Sequence, residues 1–339
     1  MIEIDGSLGE GGGQVLRTSI ALSAVTQQPV RVVKIRAGRP KPGLSPQHVT
    51  SVEAVAALCD ATVEGLCIGA QEIRFRPGAL LGGGYIFDIG TAGSISLVVL
   101  SCLLPAALSK SKVDMVVTGG TDVKWAPPID HLLRVHVPIA ERFGLRCSAE
   151  LISRGFYPEG GGEVRIEVVP SGGLLGVSLN ERCSPTRIKG IAYSQNLPEH
   201  VVSRMRHAAM RKLIPMGGAE IEPDVRRGRS TGAGIFLEAD RGQSLIGQSA
   251  LGQRGVRAEA LGESCASDLL ETVESAATVD MHMLDQVLLY MALARGPSVV
   301  VAEKMTRHAK TNIAVIEQLL DRRFTVIEND DGSVELAID

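Results

Sequence analysis

The chain has 339 residues, a net charge of −3 and a pI of about 6.2, with 45% hydrophobic and only 3% aromatic residues. This balance excludes a protein that coats a nucleic-acid backbone, but it leaves room for a small basic pocket that grips one phosphate end. The length exceeds one ordinary core, so two domains or a domain built of repeats is expected, its interior mostly Val, Leu, Ile and Ala.

In chain order, Ile2-Glu3-Ile4 reads as a strand, followed by the turn Gly9-Glu10-Gly11-Gly12-Gly13 and a helix over 14–26. Pro29 to Ile35 alternates and reads as a strand. Ser45-Pro46 is a helix start, with a capping Ser and Pro at the first helical position, and that helix runs to about Cys59. Tyr85-Ile86-Phe87 is a strand, Gly90 to Ser94 a turn, and Ile95 to Leu108 an apolar helix too short for a membrane span. Met115-Val116-Val117 leads through Thr118-Gly119-Gly120-Thr121-Asp122 to a helix over about 128–143. Glu159-Gly160-Gly161-Gly162 echoes the first turn, although a strand over 164–168 follows it. Internal repetition is therefore expected.

From about Asn180 to Val279 the texture changes, with more Arg and Glu. Strands at 188–193 and 235–239 and helices at 199–214 and 258–276 suggest an inserted module. A helix over about 281–294, a buried strand at 298–302, a helix from Thr311 to Leu320 and a hairpin around Asp330-Asp331-Gly332 close the chain. The six cysteines form no CxxC pair, so they read as reduced thiols of a cytoplasmic protein, not a zinc or redox site.

Four segments could carry chemistry. The Gly9–Gly13 turn before a helix can present backbone N–H groups to an anion, and Glu10 is a candidate ligand for a phosphate-bound divalent metal. Taken alone, such a turn is more often only a turn. Arg36, Arg39 and Lys41 crowd a loop stiffened by Pro40 and Pro42, with Gln47-His48 just beyond and Arg17 within reach. Guanidinium forks suit phosphate oxygens. His308, in Thr306 to Asn312 between a strand and a helix, could attack phosphorus as neutral imidazole, with Lys310 as an available cation. A lone loop His more commonly has no role. Asp285-Gln286 is a polar pair on an otherwise apolar helix, either solvent-facing or a nucleoside contact.

Taken together these segments resemble the RNA 3'-terminal phosphate cyclase family over nearly the whole chain, in its catalytic archaeal and bacterial branch. The resemblance rests on Asp5-Gly6, Gly9 to Gln14 with Leu16-Arg17, Ile35 to Arg39 with Lys41 to Leu44, and Gln47-His48. It continues through Gly93-Ser94, Gly119 to Asp122, Ala126-Pro127-Pro128, Gly155 to Pro158, Gly160 to Gly162, Asp285-Gln286, and His308 with Thr311 to Val315. It implies an α+β fold: three repeated sheet-plus-two-helix modules, similar to the C-terminal domain of initiation factor three, over 1–180 and 280–339, with a smaller α/β domain inserted at 181–279. It implies ATP-dependent conversion of an RNA 3'-phosphate end to a 2',3'-cyclic phosphate through histidyl-AMP on His308. By the same resemblance Glu10 would bind Mg²⁺ or Mn²⁺. Arg17, Arg36, Arg39 and Gln47 would contact ATP or RNA phosphates, and Pro128, Asp285 and Gln286 would line the nucleoside pocket. Family members often carry an aromatic residue three positions before the Asp of Asp-Gln; here that position is His282. Two other readings are a ribosomal-RNA-binding relative without catalysis, which would lack the nucleophilic His, and an enolpyruvyl-type transferase, which would not need the Arg36/Arg39 pair.

Overall fold

A computed structural model describes residues 1–185 and 187–339. Among them the fold is mixed α+β, with four four-stranded sheets. In the first sheet, β1 (Ile2–Asp5) runs parallel to β2 (Val30–Val33), β2 antiparallel to β4 (Ile73–Arg76), and β4 antiparallel to β3 (Thr62–Glu64). The helices α1 (Gln14–Thr26) and α2 (Pro46–Leu58) precede and follow β2. The second sheet has the order β5 (Gly83–Asp88), β6 (Val113–Gly119), β8 (Gly162–Val169), β7 (Arg146–Ser153), with the same alternation of directions. Its helices are α3 (Ile95–Ala107) and a run from α4 (Ile129–His131) through a π-helical turn (Leu132–His136) into α5 (Val137–Arg142).

The third sheet is assembled from distant parts of the chain. β9 (Ser178–Leu179) is parallel to β14 (Ser298–Ala302), which pairs with β16 (Val334–Ile338) and then β15 (Thr325–Glu328). Its helices are α8 (Met281–Leu293) and α9 (Arg307–Leu319). Between β9 and α8 lies the fourth sheet, ordered β11 (Glu220–Arg226), β10 (Arg187–Gln195), β12 (Gly232–Asp240), β13 (Leu245–Leu251), packed against α6 (Glu199–Lys212) and α7 (Ala258–Glu274).

Burial follows the residue patterns. In β6 and β8 alternate side chains are buried, as expected for strands with one covered face. α3 is apolar nearly all round because it packs against α1, α2, β6 and β8. One large apolar cluster joins the first three sheets, from Ile4 to Ile338. A second, from Ile188 to Val273, lies within the fourth. No helix among the described residues is long and apolar enough to cross a membrane.

The start of α9 differs from expectation. It begins at Arg307, not near Thr311, because Thr306 caps it by accepting the Ala309 N–H at 2.8 Å. His308 thus sits in the first helical turn.

Candidate active site

The site forms where α1, α2 and α9 begin. Gly11, at φ +55, abuts the Arg36–Arg39 segment, and Gly38 donates its N–H to the Gly11 carbonyl at 3.1 Å. Gly13 touches the first turn of α2: a Cβ there would stand 2.0 Å from His48 Nε2 and 2.9 Å from Arg17 Nη1. Only glycine permits this approach. Ser45 caps α2 in extended conformation, with its Oγ 2.6 Å from His48 Nδ1.

Glu10 is the meeting point. Its Oε2 accepts from Arg39 Nη2 at 3.2 Å and faces His308 Nε2 at 3.3 Å. Beneath them, Arg17 Nη2 donates to Gln14 Oε1 at 2.9 Å. Gln14 Nε2 and Thr18 Oγ1 donate to Asn312 Oδ1 at 3.3 and 2.8 Å, and Asn312 Nδ2 donates to the Asp285 carbonyl at 2.6 Å. Thr306 Oγ1 donates to Asp285 Oδ1 at 3.0 Å. These bonds stitch α1, α8 and α9 together and fix His308 over the glycine turn.

The other expected residues fall around this centre. Arg36, at φ +55, donates to the Gly43 carbonyl at 2.7 Å. Gln47 Oε1 accepts the Ser94 N–H at 2.7 Å, tying α2 to the start of α3. Pro128 stands at the start of α4; three residues on, the His131 ring meets the His282 ring edge-on at 5.4 Å. His131 Nε2 lies 2.9 and 3.0 Å from the two Asp280 oxygens, so Pro128 and His282 reach one neighbourhood through a buried His–Asp pair. Gln286 is half-buried on α8. Asp285 does not face solvent but is largely enclosed.

Charge is unbalanced here. Burial lowers the His308 pKa and Glu10 opposes this, while Arg17 and Arg39 lower it further. The ring is neutral at neutral pH. Lys310 is exposed on α9; Arg17 and Arg39 are the cations that act on the ring. Burial, with Arg17, Arg36 and Arg39, drives His48 down to about 3. Arg17 itself falls to about 10, from burial and the two neighbouring guanidiniums against the pull of Asp285. Burial raises Asp285 to about 7 and lowers His282 to about 4. Three arginines around one turn, with Glu10 beside Arg39, make a site that favours an anion.

The profile of RNA 3'-terminal phosphate cyclase matches residues 8–326 of the chain. The chain is 47% identical over 334 residues to the RNA 3'-terminal phosphate cyclase of Nitrosospira multiformis, covering 97% of this chain and 94% of that one. It is 46% identical over 327 residues to that of Pyrobaculum neutrophilum, covering 95% and 94%. The match to the Methanosarcina barkeri protein is 43% over 340 residues and spans both chains fully. This chain belongs to the RNA 3'-terminal phosphate cyclase family.

In this member of the RNA 3'-terminal phosphate cyclase family, the donor set allows one mode of metal binding. Glu10 is a hard oxygen ligand beside a phosphate-favouring turn, and Mg²⁺-type ions are often held by one or two carboxylates plus phosphate oxygens. An all-protein cage is a different matter: among the described residues no group of three His, Cys, Asp or Glu side chains is placed to hold a metal ion. The sequence reading missed the His131–Asp280 pair and a buried Arg154 cluster. Their members are far apart in the chain and carry no local signal.

Proposed function

We propose that the chain is an ATP-dependent RNA 3'-terminal phosphate cyclase in which His308 carries AMP. The observation that carries this reading is a neutral His308 at the first turn of α9, 3.3 Å from Glu10 and depressed by Arg17 and Arg39. Nε2 attacks the α-phosphorus of ATP, the P–N bond forms, and the bond to pyrophosphate breaks. The attacking lone pair is on Nε2, so the ring proton resides on Nδ1 or passes to Glu10 Oε2. Arg17, Arg36 and Arg39 stabilise the charge on the phosphates, with Gln47 beside them.

An oxygen of the RNA 3'-phosphate then displaces His308 from phosphorus, giving RNA-(3')pp(5')A. Finally the adjacent 2'-OH attacks the 3'-phosphorus, losing its proton, and AMP leaves with the electron pair of the broken P–O bond. The last step is intramolecular, which makes it entropically easy. Pro128, His282, Asp285 and Gln286 would hold the nucleoside, with imidazole as the stacking ring. A divalent ion on Glu10 and the phosphates would supply charge neutralisation.

The shared strand order of three sheets and the separate apolar core at 188–273 support an organisation into three repeated modules, like those of the initiation-factor-three C-terminal domain, over 1–180 and 280–339. The domain at 181–279 would be the insertion. Incubation with α-labelled ATP and Mg²⁺ or Mn²⁺, then denaturing electrophoresis, tests the chemistry. An acid-labile label on the intact protein is expected, together with turnover of 3'-phosphate ends in preference to 3'-hydroxyl ends. A protein that takes up no label ends the reading.

A further inference from the structure

We propose that three loops next to the His308 site form a rim that binds the single-stranded RNA leading to the 3'-phosphate. Trp125 and Tyr157 are its base-stacking platforms, and Arg227 and Arg229 its phosphate contacts. The inference rests on the reading of the protein as an RNA-modifying enzyme and adds where the body of the substrate lies.

The chain has one Trp and spends it on solvent: Trp125 is 97% exposed, with its backbone at φ +64. Bulky side chains rarely adopt that region, and such strain collects at binding sites. Tyr157 is 78% exposed. The two aromatics leave one junction, because Asp122 bridges Phe156 in parallel and Thr121 donates its N–H to the Gly155 carbonyl at 2.8 Å.

The third loop is tied to the same junction, with Ser230 Oγ accepting the Phe156 N–H at 2.8 Å. It carries Arg226, Arg227 and Arg229. Arg226 is engaged by Asp224 at 2.7 Å, whereas Arg227 and Arg229 are exposed. Arg229 lies along Gly161, where a Cβ would fall 2.5 Å from its Cδ. Arg229 lowers the pKa of Asp88 behind the hydrogen bonds from Gly90 and Thr118, and Glu159 is exposed.

Beside Trp125 opens a cavity of about 360 Å³, lined also by Lys124, Pro128, Tyr193, Leu251 and Gln253. Its walls come from the second sheet's loop, from β10 and from the end of β13. Aromatic platforms beside cations are how proteins hold single strands without reading sequence.

The rim is continuous with the catalytic cluster. Gly160 lies against Ala92, where a Cβ would be 3.0 Å from Cα. Two residues on, the Ser94 N–H is held by Gln47, next to His48 and Arg17. A strand lying on Trp125 and Tyr157 would therefore lead its 3' end along Gln47 towards His308.

Because Trp125 is the only Trp, intrinsic tryptophan emission reports this one position. The whole protein is titrated, without ATP, with a 5'-fluorescein hexaribonucleotide ending in a 3'-phosphate, following Trp emission and fluorescein anisotropy together. The expected result is saturable Trp quenching with the same midpoint as the anisotropy rise. Trp125→Gly, which relaxes the backbone at φ +64, should weaken oligonucleotide binding about tenfold. Arg227→Ala with Arg229→Ala should flatten the slope of log Kd against log salt by about 1.4, or 0.7 for each lost phosphate contact. Binding without Trp quenching would overturn the proposal. So would unchanged affinity in Trp125→Gly, or quenching by ATP alone, which would assign the cavity to the nucleotide. Labelling of His308 from ATP is scored separately, so loss of the rim and loss of the enzymatic reading are told apart.

Discussion

Two clusters in this molecule use the same residue types to opposite ends. At the junction of the second and fourth sheets, Arg154 is almost wholly buried, with its Nη1 3.2 Å from Asp122 and 2.8 Å from Asp130, and its Nε 3.4 Å from Asp224. Its guanidinium lies 3.6 Å over the Tyr193 ring, and the Tyr193 hydroxyl donates to Asp122 at 2.6 Å. Three carboxylates surround one cation. At the His308 site the ratio is reversed: Arg17, Arg36 and Arg39 gather around one turn, only Arg39 is paired with Glu10, and burial raises Asp285 to about 7. Compensated charge holds two parts of the chain together. Uncompensated charge waits for a ligand.

The largest expected effect tests the uncompensated cluster. His308→Ala should abolish transfer of label from α-labelled ATP to the protein while the melting temperature stays close to that of the parent. The ring is half-exposed, and as a neutral group it makes only a 3.3 Å contact with Glu10. Label persisting at another residue would remove His308 as the carrier. Next in size is the compensated cluster. Arg154→Met leaves buried carboxylates without their cation, a loss of about 3–5 kcal/mol. That corresponds to a fall in melting temperature on the order of 10 °C, read by calorimetry. Label transfer at low temperature should survive, because Arg154 touches no residue of the His308 cluster. A stable Arg154→Met that has lost labelling would erase the distinction between the two clusters.

The same contrast explains what could be read from the residues. The His308 cluster is built from short segments, Gly9–Gly13, Arg36–Gln47 and Thr306–Asn312, each with its own turn or cap chemistry, and the family pattern orders them. The helices 14–26 and 46–58 were legible because a glycine turn and a Ser-Pro start mark them. The start of α9 was misplaced by four residues, since Thr306 looks like loop until its bond to Ala309 is seen. The short strands β3 and β4 offer too few alternating residues to stand out. The Arg154 cluster joins positions 122, 130, 154, 193 and 224, and no local period links them. The π-helical turn at Leu132–His136 was equally silent.

Arg39 sharpens the comparison at moderate size. It lies within reach of Glu10 and also presses on His308, His48 and Arg17. Removing it relieves repulsion among cations, so Arg39→Ala should not lower the melting temperature. ATP should bind less well, since a charge-assisted bond contributes about 1.5–3 kcal/mol. The expected rise in KM for ATP during self-labelling is therefore between about 10- and 150-fold. A variant that melts early yet labels normally would make Arg39 a structural residue like Arg154.

The smallest effect is the most specific. Asp285 is held at about 7, first by burial, with Glu10 and Asp280 adding and Thr306 and Arg17 opposing. Its folded value lies above its unfolded one, so its contribution to stability is full below about pH 4 and is lost as pH rises through 7. Above neutrality the parent protein carries a poorly compensated buried carboxylate. Asp285→Asn keeps an oxygen for the Thr306 hydroxyl and never ionises. The variant should therefore gain little over the parent at pH 5 and melt a few degrees higher at pH 8, a gain bounded by about 1.4 kcal/mol per pH unit. The growth of that gap with pH is the diagnostic. A constant gap would mean that Asp285 is already ionised at pH 5, with Arg17 compensating it in the way Asp122 and Asp130 are compensated by Arg154. The two clusters would then differ in position and not in charge logic.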